Sequence, residues 1–163
     1  MRASIKQLVM DVDGTLTDVG VYIGVNGEIM KRFYIHDGYA IKHILPKYGI
    51  IPIIITGRQS EIVQLRCAEL NIKEIYQKVD DKIEQVNYLI EKYQISFEDL
   101  AYIGDDLNDL EVMKMAGLSG CPADAVDEVK KISNFIALKN GGCGAVRDFI
   151  EWILKDKENN DER

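Results

Sequence analysis

Two aspartates one residue apart, Asp11 and Asp13, close an apolar run, Leu8-Val9-Met10, and lead into Gly14-Thr15. On an extended segment that spacing lets one carboxylate attack while the next reaches the leaving group. The apolar run Ile53-Ile54-Ile55 ends in Thr56-Gly57-Arg58. Lys82 opens a predicted helix, and Leu100-Ala101-Tyr102-Ile103 runs into Gly104-Asp105-Asp106-Leu107-Asn108-Asp109. Several aspartates gathered on one rim need a cation. Hard oxygen ligands with open positions suit Mg2+, completed by water and a substrate phosphate. The chemistry is then phosphoryl transfer. Asp11 is the expected nucleophile, forming an aspartyl-phosphate. Asp13 would protonate the departing alkoxide and then deprotonate the hydrolytic water. The Thr56 hydroxyl and nearby backbone N–H groups, Gly57 among them, would hold the phosphoryl oxygens. Lys82 would neutralise charge on the nucleophile and the transferring group. Asp105 would ligate the metal, with Asp106 and Asp109 in support; either of the last two could equally cap the helix that follows.

These groups share a place: each closes or follows a short apolar run. Such runs read as buried strands of a parallel sheet, and ligands of such sheets bind beyond the carboxyl ends of the strands. Between them lie helical spacings, with Ser60 and Asp80 or Asp81 as candidate caps. A helix is expected over Ala40–Tyr48, disturbed by Pro46 in its last turn and stopped by Gly49. Asn26-Gly27 between two β-rich runs predicts a hairpin at about 21–35. Strands at Ile75-Tyr76, near Leu118 and over Phe135–Leu138 complete the alternation. The pattern predicts an α/β fold: a three-layer, Rossmann-like parallel sheet with a β-hairpin after the first strand and no cap domain. One domain should span 1–155, followed by a frayed charged tail at 156–163.

Composition narrows the partners. The chain has 163 residues, 20 basic against 27 acidic, for a net charge of −7 and a pI near 4.9. That balance disfavours nucleic acid. No apolar run approaches the roughly eighteen residues of a membrane span, and no secretory apolar region precedes Asp11. Cys67, Cys121 and Cys143 fit no disulfide or zinc spacing, which points to a reducing cytoplasm.

Asp11-Val12-Asp13-Gly14-Thr15-Leu16-Thr17-Asp18, Thr56-Gly57-Arg58, Lys82 and Gly104–Asp109 resemble the ordered motifs of the haloacid dehalogenase superfamily of phosphatases. The resemblance runs from about Ile5 to Trp152. It implies a metal held at the positions matching Asp11 and Asp105 and by the backbone carbonyl matching Asp13. The gaps between motifs hold only the hairpin, single helices and a short strand, so no cap domain fits, and an open site implies either a macromolecular substrate or closure by a neighbouring subunit.

Phe33–Lys42, Arg58, Arg66-Cys67-Ala68 and Gly141–Arg147 are further similar to the 3-deoxy-D-manno-octulosonate 8-phosphate phosphatases, capless Mg2+-dependent enzymes of lipopolysaccharide precursor synthesis. That likeness implies a cytoplasmic homotetramer with subunit-completed active sites. It also implies substrate contacts from Tyr34, Ile35, His36, Asp37, Gly38, Lys42, Gly57, Arg58 and Arg66, beside Asp13 and Lys82. Many relatives carry Arg where His36 and Lys42 stand. A nonulosonate 9-phosphate phosphatase, acting on sialic acid or KDN esters, is the alternative; Glu tends to follow Thr-Gly there, and Arg58 favours the eight-carbon acid. A phosphoacceptor receiver module would place its acceptor on a middle strand, and an inactive relative would lack motif residues.

Overall fold

The computed structural model describes the backbone of residues 4–161 and the side chains of residues 4–155. Six parallel strands form the central sheet: β1 (Gln7–Met10), β4 (Ile51–Ile55), β5 (Glu74–Tyr76), β6 (Leu100–Ile103), β7 (Leu118–Cys121) and β8 (Phe135–Ile136). Their spatial order is β5-β4-β1-β6-β7-β8. Taken in chain order that is 3-2-1-4-5-6, the doubly wound order in which the winding reverses beside the first strand. β1 sits at the centre, with Val9 opposite Ile53 on one side and Tyr102 on the other.

Alternation along the strands sorts side chains into two cores. Leu8, Met10, Ile54 and Ile103 pack with Ile41, Val63 and Phe149 on one face. Val9, Ile53, Ile55 and Tyr102 pack with Val86, Leu89, Val112 and Val129 on the other. The first face is covered by α1 (Ile35–Tyr39) and the turns that prolong it, α2 (Glu61–Glu69) and α6 (Ala145–Asp161). The second is covered by α3 (Lys82–Tyr93), α4 (Leu110–Met115) and α5 (Asp127–Ile132). The three-layer expectation therefore holds, and so does the hairpin. β2 (Tyr22–Gly24) and β3 (Gly27–Met30) form a separate two-stranded sheet, tied at its base by a Thr17–Phe33 bridge.

Several local expectations need correction. The helix expected over Ala40–Tyr48 starts earlier, at Ile35, and passes through a wide turn at Ala40–Ile44 and a tight turn at Leu45–Tyr48. Pro46, which lacks an N–H, falls at the start of the tight turn, where none is needed. Ser60 stands at the N-cap of α2 but makes no cap bond; its hydroxyl donates to Glu28 instead (2.5 Å). Of the Asp80–Asp81 pair it is Asp81 that caps α3, accepting from the Glu84 N–H at 3.1 Å. β8 has two residues rather than four. The charged stretch expected to fray continues α6 as far as Asp161, while Glu162 and Arg163 lie outside the described residues.

Candidate active site

Asp11 is the first residue after β1, and its N–H donates to the Ile103 carbonyl at 3.1 Å. The bond extends the β1–β6 ladder by one step and brings the Asp11 side chain over the ends of both strands. The chain then turns sharply through Val12–Leu16. Gly14 adopts φ +83°, and a Cβ there would collide with the Asp105 carboxylate; only glycine meets both demands. Gly104 closes β6 under the same restriction, because a Cβ would strike the Asp109 carboxylate. Lys82 enters from the opposite layer as the first residue of α3. Its ammonium donates to Asp11 Oδ1 (2.9 Å) and Asp109 Oδ1 (2.7 Å). All three side chains are buried.

Asp109 is a saturated acceptor. Oδ1 takes Lys82 and the Tyr102 hydroxyl (2.6 Å), and Oδ2 takes the N–H groups of Asp105 (3.0 Å) and Asp106 (3.3 Å). Four donors fill the lone-pair sites of a carboxylate. Asp106 accepts from the Leu107 N–H at 2.7 Å and caps the tight turn before α4, so its capping role is the one observed.

Carboxylate oxygens of Asp11, Asp105 and Asp109 lie within 4.8 Å of one another. One ammonium faces these three acids. Burial pushes the Asp11 carboxyl up to about 6, the Asp109 charge adding to it and Lys82 opposing. Burial also pushes Asp105 up to about 8, reinforced by repulsion from Asp11. The cluster thus carries more negative charge than its surroundings neutralise, and a divalent cation fits that deficit. Because Asp109 is already filled by donors, Asp11 and Asp105 are the side chains free to hold one.

A cavity of about 180 Å³ opens over this cluster. It is lined by Asp11, Asp13, Thr56, Gly57, Arg58, Asp105, Asp106 and Asn108. Thr56 is buried there, while Arg58 is exposed at the mouth. Asp13 stands at the rim and pairs with Lys31 of the hairpin (2.5 Å). The arrangement can hold a metal-bound phosphate against Asp11, with Lys82 behind the nucleophile and Asp13 on the leaving-group side.

The remaining expected substrate contacts lie elsewhere. Ile35, Gly38, Lys42 and Arg66 line a cavity of about 420 Å³, and Tyr34 and His36 line one of about 280 Å³ with Lys139 and Arg147. Neither lining shares a residue with the catalytic cavity. Asp37 is buried, and its Oδ1 accepts the Arg147 N–H at 2.9 Å. Three residues with a part in the site escaped the sequence reading, namely Lys31, Glu28 and Tyr102. No local pattern marks them, since each acts on a partner brought near only by folding.

A model of haloacid dehalogenase-like hydrolases matches residues 66–150. The chain is 41% identical over 151 residues to the 3-deoxy-D-manno-octulosonate 8-phosphate phosphatase of Escherichia coli, covering 93% of this chain and 80% of that protein. It is similar to the solved structure of the enzyme of that name from Moraxella catarrhalis in complex with magnesium ion, phosphate ion and KDO. There the TM-score is 0.91 at 40% identity, over 99% of this chain and 92% of that one. The cobalt-bound form of the Haemophilus influenzae enzyme matches with a TM-score of 0.89 at 36% identity, over 93% of this chain and 88% of that one.

Proposed function

The chain belongs to the haloacid dehalogenase-like hydrolase family, and on that premise we propose that it hydrolyses 3-deoxy-D-manno-octulosonate 8-phosphate to the free sugar acid and phosphate. The observation that carries the reading is the convergence of Asp11, Lys82 and Asp105 at the ends of β1 and β6, with Asp13 on the rim of the same cavity. Magnesium would be held by Asp11, Asp105 and the Asp13 carbonyl, and when bound it would supply positive charge against the phosphate oxygens.

An Asp11 oxygen attacks phosphorus as the bond from phosphorus to the sugar oxygen breaks. The proton of Asp13 passes to that oxygen, and the sugar acid leaves as its alcohol. Water then attacks the phosphorus of the aspartyl-phosphate. Asp13 takes its proton, the bond from phosphorus to Asp11 breaks, and phosphate leaves with Asp11 restored as the carboxylate and Asp13 as the acid. Lys82 holds the Asp11 oxygen in place throughout and offsets the charge that gathers on the transferring group. The Thr56 hydroxyl and the Gly57 N–H bind the phosphoryl oxygens. Arg58, at the mouth, offers a planar fork to a substrate carboxylate.

A second copy of the chain supplies the remaining contacts in this reading. Arg66 and Lys42 line a separate cavity, so they reach substrate only across an interface, which a homotetramer built on the hairpins provides. The three cysteines described are free thiols, in keeping with a cytoplasmic enzyme. Among the described residues no helix is long and apolar enough to cross a membrane.

Phosphate release from the eight-carbon ester and from nonulosonate 9-phosphates tests the assignment. The eight-carbon ester should give the higher kcat/KM, Arg58→Glu should lower it by about tenfold or more, and Asp11→Asn should abolish turnover. Preference for the nine-carbon esters would move the assignment to them, and an Asp11→Asn enzyme of native rate would overturn it.

A further inference from the structure

The hairpin is linked to the acid–base aspartate by a chain of charged side chains. Lys31 follows β3 directly, and its side chain is only 5% exposed. Its ammonium meets Asp13 Oδ1 at 2.5 Å and Glu28 Oε1 at 2.7 Å. The other Glu28 oxygen accepts from the Ser60 hydroxyl at 2.5 Å, and the Ser60 N–H donates to Gln77 Oε1 at 2.8 Å. The chain therefore runs from the acid–base residue, through the hairpin, to the loop that carries Thr56 and Arg58.

Two physical points separate this from an incidental ion pair. An exposed pair contributes little, but this ammonium is almost wholly removed from water and needs its partners. In addition, Ser60 stands at the N-cap of α2 and does not cap it. The hydroxyl is committed to Glu28 and forgoes the cap that a serine at this position ordinarily makes. The two-stranded sheet is marginal by itself, and these bonds join it to the rim of the catalytic cavity.

We infer that Lys31 is the positioning residue for Asp13, engaging Oδ1 so that the proton-bearing Oδ2 is held where the leaving oxygen departs. The inference rests on the phosphatase reading. Lys31 pairs with Asp13 and Glu28; it acts by restricting the rotamers of Asp13, with Glu28 as its own anchor. Misplacing a general acid matters most when the leaving group is poor, because a good one departs without the proton.

The test is a ratio. kcat/KM is measured for the eight-carbon alkyl ester and for p-nitrophenyl phosphate with the unaltered protein, Lys31→Met and Lys31→Arg. Lys31→Met should lower the alkyl-to-aryl ratio by about tenfold or more, and Lys31→Arg should recover most of that loss. Both substrates are read on one preparation, so any unfolded fraction cancels. A ratio that stays within about twofold, with both rates equally reduced or unchanged, overturns the assignment and leaves Lys31 a structural residue. Failure of the unaltered protein to hydrolyse either ester would instead overturn the reading of the site.

Discussion

At the scale of the residue, the site depends on what stands behind the reacting groups as much as on the groups themselves. Asp109 accepts four donors and is inaccessible to solvent. It holds Lys82 toward Asp11 and sets the backbone from which Asp105 projects. Asp109→Asn would place an amide donor against this ring of donors and leave the buried ammonium with one acidic partner fewer. A loss of about 3 kcal/mol in stability is expected, as when one member of a buried pair is removed, together with a fall in kcat. Tyr102→Phe removes one donor of four and should cost only about 1 kcal/mol. Chemical denaturation of both variants checks the order; equal stability of Asp109→Asn and the unaltered protein would show that the ring is not a support. Asp11, Asp13 and Asp105 were legible as candidates in the sequence from residue type and strand-end placement, and Lys82 from its place at the start of a helix. Tyr102 and Lys31 were not. Tyr102 reads as one more core position of a strand, and Lys31 as one more charge on a hairpin, until folding supplies the acceptor.

Elements are joined by similar buried bonds. Asp37 on α1 accepts the N–H of Arg147 in the first turn of α6, so one helix caps another across the first core. The other Asp37 oxygen is buried and has no hydrogen-bond partner. Burial pushes its carboxyl up to about 6; the Arg147 N–H opposes the shift, Asp148 adds to it, and Lys139 and the Arg147 guanidinium reduce it. A folded pKa above the unfolded value favours the protonated form in the native state. The stabilisation is therefore complete below the unfolded value of 3.8 and is lost as pH rises through about 6. Asp37→Asn cannot ionise, so its stability relative to the unaltered protein should rise by up to about 3 kcal/mol between about pH 4 and pH 7. Denaturation midpoints at several pH values measure that difference, and a flat difference would mean that Asp37 does not titrate in this window. The elements themselves followed from sequence where apolar runs were continuous, as in β1, β4 and β6. Sequence did less well over Ile35–Tyr48. There the apolar spacing fits one helix, whereas packing across the first core and Pro46 divide it into turns of different pitch. Ser60 was misjudged for a related reason, since its preferred bond lies on a hairpin thirty-two positions away in sequence.

For the whole molecule, the decisive feature is what the hairpin leaves uncovered. Val19, Val21, Ile23, Val25 and Ile29 are more than half exposed, and Val25 is fully so. Among the described residues β2 and β3 pair only with each other, which leaves their edges and apolar faces for another chain. The same molecule divides the expected substrate contacts among a catalytic cavity, a second one bearing Lys42 and Arg66 and a third bearing Tyr34 and His36. Both facts have one explanation if copies assemble through their hairpins and each lends its second cavity's cations to a neighbour's catalytic cavity. Charging the hairpin separates the two kinds of activity. In Ile23→Lys combined with Val25→Lys, sedimentation should register a smaller species. kcat/KM for the sugar-acid ester should fall by about tenfold or more, the scale of a lost charge-assisted contact. Turnover of p-nitrophenyl phosphate, which lacks the distal carboxylate, should change little. An unaltered protein that sediments as a monomer and turns over the sugar-acid ester at full rate would locate every specificity contact within one chain, leaving Arg58 as the cation at the mouth of the cavity.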